Sequence, residues 1–462
     1  MLAREVLQEL VQVLGAENVL TEQEDLMTYA YDATAAMKHY KPDAVVSPLS
    51  TEQVSEVVKI AGRYQIPIYP RGSGTNLSGG TIPTKGGIVL SMLNLNKIIE
   101  VDQDNLTATV QPGVIIQALN DQVTKLGLLY PPDPGTVTTA TMGGSVSECS
   151  GGLRGLKYGV TKHYIMGLQL VLANGEIIRW GGKTVKNVTG YDLVALFTGA
   201  EGTLGIITEI IVKLIPAPET RKSILAVFDN LDKAGNAIAS IIRNKIIPAT
   251  LEIMDNATIQ TVEHFVHAGL PMDAEAVLLV EVDGYKEVVE REAVLVEQIL
   301  QTEGSVEVKI AKNDQERDLL WLARRSALPA LAQKRPTTVL EDATVPRSKI
   351  PDMLKAIRKI AEKHRLLIAT FGHAGDGNLH PTILTDQRDE DEMKRVHLAV
   401  DEIFQAAISL GGTLSGEHGI GIAKMKYLDW EFGEAGVAAL RQIKEALDPN
   451  YLLNPGKIVR RD

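Results

Sequence analysis

A glycine-rich run early in the chain restricts the possible folds more than any other feature of the sequence. Residues 70–80 read Pro-Arg-Gly-Ser-Gly-Thr-Asn-Leu-Ser-Gly-Gly. Glycines let backbone N–H groups approach phosphate oxygens closely. However, the spacing does not match G-x-G-x-x-G, and the following residues, 81–92, have the pattern of a strand rather than the helix of a Rossmann unit. The Gly-Lys-Ser/Thr ending of a Walker A loop is also missing. We therefore expect a phosphate-binding loop of another fold, with a mobile surface loop as the alternative.

Two more tracts of small residues follow in the same part of the chain. Residues 131–155 are rich in glycine, serine and threonine, and residues 197–208 read Phe-Thr-Gly-Ala-Glu-Gly-Thr-Leu-Gly-Ile-Ile-Thr. The last tract runs directly into a predicted strand, Ile206–Leu214. Several such tracts within one domain suit a long dinucleotide better than a mononucleotide.

Histidines are concentrated in one short segment of the C-terminal half. His373 and His380 are two of only nine histidines, and they flank the turn-forming sequence Gly375-Asp-Gly377. In a continuous strand they would lie about 23 Å apart, so they can share a ligand only if the chain folds back at these glycines. Further along, Glu417 occurs in a second glycine-rich loop, residues 411–424.

Two histidines and one carboxylate form a ligand set that suits Zn²⁺, Mn²⁺ or Fe²⁺ and leaves a position open for substrate. A metal there would bind the carboxylate and hydroxyl groups of a 2-hydroxy acid and lower the pKa of the hydroxyl. His418, next to Glu417, could then act as the general base. The alternative is that these histidines only cap turns. Two glycine-framed clusters that contain both ligand and base types favour the metal site.

The order of predicted elements divides the chain into three parts. Residues 1–217 form a first domain rich in strands, with a hairpin turned by Asn174-Gly175. From residue 218 the order strand, helix, strand, strand, helix, strand is that of a ferredoxin-like βαββαβ unit, and this second domain is expected to extend to residue 424. Residues 425–462 form a C-terminal segment.

The composition excludes several classes of protein. The chain has 462 residues, a net charge of −11 and 23% charged residues, which is typical of a globular multidomain protein and unfavourable for binding nucleic acid. Its single cysteine, Cys149, excludes a disulfide framework and a cysteine-ligated iron–sulfur cluster within this chain. No apolar run approaches the roughly 18 residues of a membrane span, and the first residues do not resemble a signal peptide. We therefore expect a cytoplasmic protein.

The three glycine-rich tracts resemble, in their order and spacing, the FAD-binding domain of the vanillyl-alcohol oxidase type. The resemblance implies that residues 71–80 and 134–145 hold the pyrophosphate and that residues 201–207 border the adenine and ribose. Several relatives tether the flavin through a histidine in the first loop, which here contains none, so we expect a non-covalent FAD. The residues implied in cofactor binding are Arg71, Gly72, Ser73, Gly74, Thr75, Asn76, Ser78, Gly79, Pro134, Gly135, Thr138, Thr141, Gly143, Gly144, Ser147, Gly151, Glu201, Gly202, Gly205, Ile206 and Ile207.

The histidine and glutamate loops resemble the C-terminal domain of FAD-linked D-2-hydroxyacid dehydrogenases, the group that includes D-lactate dehydrogenase and the flavin subunit of glycolate oxidase. The resemblance implies that His373, His380 and Glu417 are the metal ligands and that His418 is the base. The expected fold class is α+β, with a vanillyl-alcohol oxidase-type FAD domain followed by a ferredoxin-like antiparallel-sheet substrate domain.

The same resemblance assigns two further residues. Arg324 matches an arginine that pairs with the substrate carboxylate, and its neighbour Arg325 is the alternative because either guanidinium could form a bidentate pair. A solvated helix face is the other interpretation of both. The C-terminal sequence 447–457 matches a tail that returns to the FAD domain and brings Asn454 near the isoalloxazine ring.

The resemblance implies an FAD-dependent dehydrogenase that oxidises a small D-2-hydroxy acid, D-lactate or glycolate, to the 2-oxo acid with hydride transfer to flavin N5. Glu341 and Asp342 on a predicted strand favour monocarboxylates. Electrons are expected to leave to a partner protein, an electron-transfer flavoprotein or an iron–sulfur subunit. A flavin oxidase of another alcohol or sugar and a flavin electron-transfer subunit are the alternatives. The choice of substrate, the metal and a possible homo-oligomer stay open.

Overall fold

The computed structural model describes residues 2–461. The helices are α1 Arg4–Leu14, α2 Gln23–Met27, α3 Thr51–Tyr64, α4 Ile116–Val123, α5 Met142–Glu148, α6 Gly155–Tyr158, α7 Leu193–Phe197, α8 Leu231–Arg243, α9 Asn256–Val266, α10 Lys286–Thr302, α11 Asp314–Arg325, α12 Ala327–Lys334, α13 Ile350–His364, α14 Glu390–Ser409 and α15 Leu428–Leu447.

The strands are β1 Val19–Leu20, β2 Ala44–Val46, β3 Ile68–Arg71, β4 Ile88–Ser91, β5 Ile98–Asp102, β6 Thr107–Val110, β7 Leu128–Leu129, β8 Ile165–Val171, β9 Ile177–Gly181, β10 Ile206–Lys213, β11 Ile215–Pro216, β12 Thr220–Phe228, β13 Thr250–Asp255, β14 Ala276–Gly284, β15 Glu307–Ile310, β16 Thr337–Leu340, β17 Ala343–Thr344, β18 Leu367–His373 and β19 Asn378–Thr385.

The chain forms two compact units, and neither is a single continuous segment. The first unit consists of the segment that ends at Ser150, residues 160–217, and the segment that begins at Glu417. The second unit consists of residues 151–159 and 218–416. The sequence-based division placed residues 151–159 in the first domain and residues 417–424 in the second. The structure differs at both places. Residues 151–159 make their contacts within the second unit, where Lys157 bonds to Asp283, and residues 417–424 make theirs within the first unit, where the backbone of residues 420 and 421 bonds to Glu201.

The first unit contains two main sheets. One has the order β1-β2-β4-β3, with β2, β4 and β3 parallel, and the other is antiparallel with the order β5-β6-β10-β8-β9. Ser50 caps the N-terminus of helix α3, because its hydroxyl accepts a hydrogen bond from the Gln53 N–H, and the helix buries one apolar face against the first sheet. The predicted hairpin at Asn174-Gly175 is confirmed by the pairing of β8 with β9.

The C-terminal tail completes the core of the first unit. Leu452 and Leu453 are buried in the same apolar cluster as β4 and α3, and the Leu453 backbone lies beside Ile68 of β3 as an isolated parallel bridge. Lys444 donates hydrogen bonds from a buried position to the Leu453 carbonyl and to Asp448. These contacts hold the tail against the strand that leads into the first glycine-rich loop.

The second unit is built on one large antiparallel sheet with the order β15-β12-β14-β13-β18-β19-β16, and β17 also pairs with β19. The first four strands have the ferredoxin-like order, so the predicted βαββαβ arrangement is confirmed, with helix α9 inserted between β13 and β14. Apolar residues of α9, α11 and α12 pack on one face of this sheet in a single cluster. Leu153 of the short segment 151–159 belongs to that cluster.

No helix among residues 2–461 is long and apolar enough to cross a membrane.

Candidate active site

The glycine-rich tracts of the first unit contact one another. A Cβ atom at Gly72 would lie 2.3 Å from the Thr141 hydroxyl, so the first and second tracts touch at a position where only glycine fits. The Glu201 N–H donates to the Ser147 carbonyl at 2.8 Å, and the Gly199 N–H donates to the Val146 carbonyl at 2.9 Å. The second and third tracts are therefore joined as well.

Asn454 of the C-terminal tail links two of these tracts. Its Nδ2 donates to the Gly80 carbonyl at 2.8 Å and to the Glu201 carbonyl at 2.7 Å, and its backbone N–H donates to the Ile68 carbonyl. The residue is buried and has a positive φ of 41°. Asn454 thus lies where the first tract, the third tract and β3 meet.

Several residues assigned to the cofactor have structural partners of their own. Arg71 is buried, donates from Nη1 to the Tyr31 carbonyl and to the Thr81 hydroxyl, and has its pKa lowered by burial. Gly143 is required by packing, because a Cβ atom there would lie 2.5 Å from Pro112 Cβ. Arg71 and Gly143 therefore also support the loops that surround the site.

The remaining assigned residues fall into different environments. Gly135 and Thr138 are exposed, Gly151 lies in the second unit, and the Ile206 side chain is part of the apolar core. The first-loop residues with small or polar side chains that stay half-buried are Gly72, Ser73, Gly74, Thr75 and Asn76.

Two carboxylates of the first unit, the buried Glu201 and the half-buried Glu148, were not identified from the sequence as a pair. Both oxygens of Glu201 accept backbone hydrogen bonds, from the Ile420 N–H at 2.6 Å and the Gly421 N–H at 2.7 Å. Burial raises the pKa of Glu201, and burial together with the nearby Glu201 and Asp32 raises the pKa of Glu148 well above its usual range. Glu201 therefore anchors the segment after Glu417 to the first unit.

The histidines of the second unit are brought together by strand pairing. Strands β18 and β19 form a hairpin in which His380 lies directly opposite Phe371, two residues before His373 on the same strand. Because opposite residues and residues two apart share a face of a sheet, all three rings lie on the same side. The His373 and His380 ring centroids are 5.1 Å apart, and each ring offers a nitrogen within 4.8 Å of the other.

The turn between the two strands depends on glycine. The Gly377 N–H and the Asp376 N–H both donate to the His373 carbonyl, at 3.1 and 3.2 Å, which closes the turn. Gly377 has a φ of 96°, and a Cβ atom there would lie 2.1 Å from the Val345 carbonyl oxygen. The sequence pattern predicted a loop for residues 371–381. In the structure, both histidines instead belong to strands of the central sheet.

A buried carboxylate completes this cluster. Glu252 of β13 accepts a hydrogen bond from His373 Nδ1 at 2.8 Å, and its other oxygen lies 2.5 Å from Arg324 Nη2. Burial alone would raise the pKa of Glu252, but His373 and Arg324 hold it below its usual value. The Arg324 guanidinium also stacks 4.8 Å above the Phe371 ring. Arg325, the alternative in the sequence, is exposed.

Asp342 also lies close to His380. A carboxylate oxygen of this fully buried residue lies within 4.8 Å of a His380 nitrogen, and its Oδ2 accepts a hydrogen bond from the Ser415 hydroxyl at 2.7 Å. The second unit therefore concentrates two histidines, two carboxylates and one arginine on one part of its sheet. Among these, Glu252 has only a weak signal in the sequence, an acidic residue within an otherwise apolar strand.

Comparison with known proteins identifies the family. The C-terminal domain of FAD-linked oxidases matches residues 217–458, and an FAD-binding domain matches residues 42–181. The chain belongs to the FAD-linked oxidase family. It is therefore an FAD-dependent oxidoreductase, and the predicted family is confirmed.

Curated relatives match nearly the whole chain of this FAD-linked oxidase. It is 52% identical to the glycolate oxidase subunit GlcD of Bacillus subtilis, over 100% of this chain and 98% of the relative. It is 38% identical to the glycolate oxidase subunit GlcD of Escherichia coli K12, over 98% and 90% of the two chains. It is also 35% identical to a D-lactate dehydrogenase of Anaerostipes hadrus, over 96% and 95%.

Solved structures show the same fold. A p-cresol methylhydroxylase structure with substrate bound has a TM-score of 0.81 at 20% identity and covers 99% of this chain and 97% of its own. An alkyldihydroxyacetonephosphate synthase structure has a TM-score of 0.78 at 20% identity, over 98% and 86%. The predicted α+β fold class with a vanillyl-alcohol oxidase-type FAD domain is confirmed.

The tracts of the first unit fit an FAD molecule. Ser78 Oγ, Glu148 Oε2 and Asn454 Oδ1 are buried and have no hydrogen-bond partner within residues 2–461. Buried polar atoms without partners are rare in proteins, so three of them beside the glycine-rich tracts suit a polar ligand that the chain itself does not supply.

Proposed function

We propose that this FAD-linked oxidase oxidises a small D-2-hydroxy acid, D-lactate or glycolate, to the corresponding 2-oxo acid. The observation that carries the proposal is the cluster on the sheet of the second unit, where His373 and His380 lie beside the buried Arg324. This cluster combines two possible metal ligands with a guanidinium group that can bind the carboxylate of a substrate. The relatives named glycolate oxidase subunit and D-lactate dehydrogenase act on substrates of this class.

His373, His380 and Glu417 are the proposed ligands of a divalent metal, Zn²⁺, Mn²⁺ or Fe²⁺. The two histidines fit because both offer a nitrogen on one side of the sheet. Glu417 is supported by chain continuity. It follows Gly416, where a Cβ atom would lie 2.3 Å from Thr344 Oγ1 of the same unit, and consecutive Cα atoms are about 3.8 Å apart. Glu417 is therefore the residue that directly follows the last residue of the second unit.

The chain's own residues would bind and deprotonate the substrate. Arg324 pairs with the substrate carboxylate, and its Nε supports this role because it is buried without a hydrogen-bond partner within residues 2–461. His418, the residue after Glu417, accepts the hydroxyl proton. When bound, FAD would supply the two-electron oxidising chemistry.

The FAD is proposed to bind without a covalent bond. The first glycine-rich loop contains no histidine, the residue that tethers the flavin in several relatives of this fold. Its half-buried Ser73, Thr75 and Asn76 offer hydrogen bonds instead. Mild denaturation of the FAD-loaded protein should therefore release the flavin into solution rather than leave it attached to the chain.

Electrons are proposed to pass to a partner protein, an electron-transfer flavoprotein or an iron–sulfur subunit. One cysteine cannot hold a Cys₄ cluster in this chain. Two relatives are named as subunits of glycolate oxidase, which supports a partner-linked enzyme.

The test is an anaerobic flavin-reduction experiment. The FAD-loaded chain is mixed with D-lactate, L-lactate, glycolate or D-2-hydroxyglutarate, with and without a chelator, and the flavin absorbance at about 450 nm is followed. We expect chelator-sensitive bleaching by D-lactate or glycolate. An unchanged spectrum with all four acids would refute the proposal and favour an oxidase of another alcohol or an electron-transfer subunit.

A variant assigns the base in the same experiment. His418→Ala should retain FAD but lose flavin reduction by about 100-fold or more, as expected for a general base. The matched control is His364→Ala, which removes another buried histidine, one that is paired with Glu402 at 3.0 Å. Normal reduction by His418→Ala would exclude His418 as the base.

A further inference from the structure

Glu252 occupies a position where the fold does not require a carboxylate. Strand β13 is buried, and its neighbours on the same face belong to the apolar cluster of the second unit, including Met254 and Phe371. A leucine at position 252 would fill such a position without the cost of burying a charge. The glutamate therefore needs an explanation other than packing.

Strand register places Glu252 beside His373. Ile253 lies opposite Gly372, and Met254 lies opposite Phe371, so the antiparallel register puts Glu252 across from His373. The hydrogen bond at His373 Nδ1 is 2.8 Å long. Since a carboxylate can only accept, Nδ1 carries the proton in this bond, and the lone pair of a neutral ring is then on Nε2.

The second oxygen of Glu252 faces the proposed substrate cation. It lies 2.5 Å from Arg324 Nη2, and both residues are at most 5% exposed. The pairing fixes the guanidinium while Nε of Arg324 keeps a hydrogen available. One carboxylate thus contacts a proposed metal ligand and the proposed substrate-binding arginine at the same time.

We infer that Glu252 is a positioning residue that orients His373 for metal binding through Nε2 and orients Arg324 for the substrate carboxylate. The inference rests on the proposed metal site and deepens it. Carboxylates that accept from the second nitrogen of a ligating histidine fix its tautomer and raise its affinity for the metal. Here the same carboxylate would also join the metal site to the carboxylate-binding site.

The test measures metal affinity in the full-length, FAD-loaded protein. After chelation and dialysis, Mn²⁺ is titrated and free Mn²⁺ is measured by electron paramagnetic resonance. Glu252→Gln keeps an oxygen for His373 but loses the charge, whereas Glu252→Leu loses both. We expect Mn²⁺ affinity to fall in that order, by about 10- to 100-fold for the leucine variant.

The matched control is Glu281→Gln. Glu281 is a buried carboxylate on the adjacent strand β14, and it accepts hydrogen bonds from Ser223 Oγ and from Trp321 Nε1 of α11, the helix that also carries Arg324. It does not bond to His373. Its variant should keep wild-type Mn²⁺ affinity. Equal losses in Glu281→Gln and Glu252→Gln would show that the effect is general destabilisation and would overturn the inference.

Two outcomes separate this inference from the proposed function. A wild-type protein whose Mn²⁺ binding is absent, or is unchanged by His373→Ala, refutes the metal site itself. Wild-type binding that depends on His373 but is unchanged in Glu252→Leu overturns only the role of Glu252.

A measurement on the wild type covers the case in which the Glu252 variants do not fold. In the metal-depleted protein, the ¹⁵N shifts of the His373 ring should show the Nδ1–H tautomer. The Nε2–H tautomer would overturn the inference.

Discussion

Replacing Gly377 by alanine should distort the turn that joins the two histidine strands. Gly377 has a φ of 96°, a conformation that costs an L-residue about 1–2 kcal/mol. The added Cβ would lie 2.1 Å from the Val345 carbonyl oxygen, which is backbone and cannot rotate away. Overpacking of this kind costs about 1–3 kcal/mol. The combined cost is therefore about 2–5 kcal/mol.

Gly269 provides the control for backbone strain alone. It lies in the same unit with a φ of 78°, but a Cβ atom there meets nothing within 4 Å. Gly269→Ala should thus cost only the conformational part, about 1–2 kcal/mol. At about 2–4 °C per kcal/mol for a domain of this size, the thermal midpoint should fall by about 10 °C for Gly377→Ala and by about 4 °C for Gly269→Ala.

Thermal denaturation followed by circular dichroism measures the two midpoints, and Mn²⁺ titration measures the consequence for the histidines. Gly377→Ala should also weaken Mn²⁺ binding, because His373 and His380 lie within a few residues of the turn. Equal midpoints for the two variants, together with wild-type metal affinity, would refute the argument that the Gly377 turn sets the histidine geometry.

Two predictions concern the first unit. Asn454→Ala removes the hydrogen bonds to the Gly80 and Glu201 carbonyls, so it should destabilise the protein by about 1–3 kcal/mol and weaken FAD binding. The control Asn187→Ala, at an exposed residue, should change neither stability nor FAD binding. Equal FAD affinity of the two variants in a titration would contradict this prediction. Burial lowers the pKa of Lys457 to about 7, so between pH 7 and its ordinary value of 10.5 the unfolded chain binds more protons and stability rises with pH. In Lys457→Met the rise of the thermal midpoint between pH 6.5 and 9 should be smaller than in the wild type. An unchanged pH dependence would refute the lowered pKa of Lys457.

The sequence predicted the ferredoxin-like core because its pattern is local. Strands β12 to β15 and helices α8 and α10 each have a clear period, and their expected order agrees with the structure. Helix α9 was missed because β-branched residues such as Thr258, Ile259 and Val262 obscure its helical period. Its cap is nevertheless visible in the sequence, since the Asp255 side chain accepts from the Thr258 N–H.

Strand β19 was missed for a different reason. His380 and Pro381 interrupt its apolar pattern, and a proline normally argues against a strand in the middle of a sheet. Pro381 is tolerated in β19 opposite Thr370, and its carbonyl accepts a hydrogen bond from the Glu341 N–H. The sequence therefore indicated which histidines to consider but could not place them on strands.

Contacts between distant parts of the chain were beyond the reach of sequence patterns. Asn454 bonds to residues more than 250 positions away, and Glu201 binds the backbone of residues 420 and 421. Neither contact has a local period or a spacing rule. Only the family resemblance linked Asn454 to the flavin domain.

The charges around His380 bear on the choice of substrate. Asp342 is fully buried within 4.8 Å of a His380 nitrogen, and Ser415 donates a hydrogen bond to it. Two like charges about 4 Å apart repel by about 4 kcal/mol at the effective dielectric constant of a protein, which is roughly a thousandfold in affinity. A dicarboxylate that placed its second carboxylate near an ionised Asp342 would meet this repulsion, whereas a monocarboxylate has no second charge to place. Under the proposed pairing of Arg324 with the substrate carboxylate, we therefore expect D-lactate or glycolate to reduce the flavin faster than D-2-hydroxyglutarate, because Glu252 already pairs with the same guanidinium.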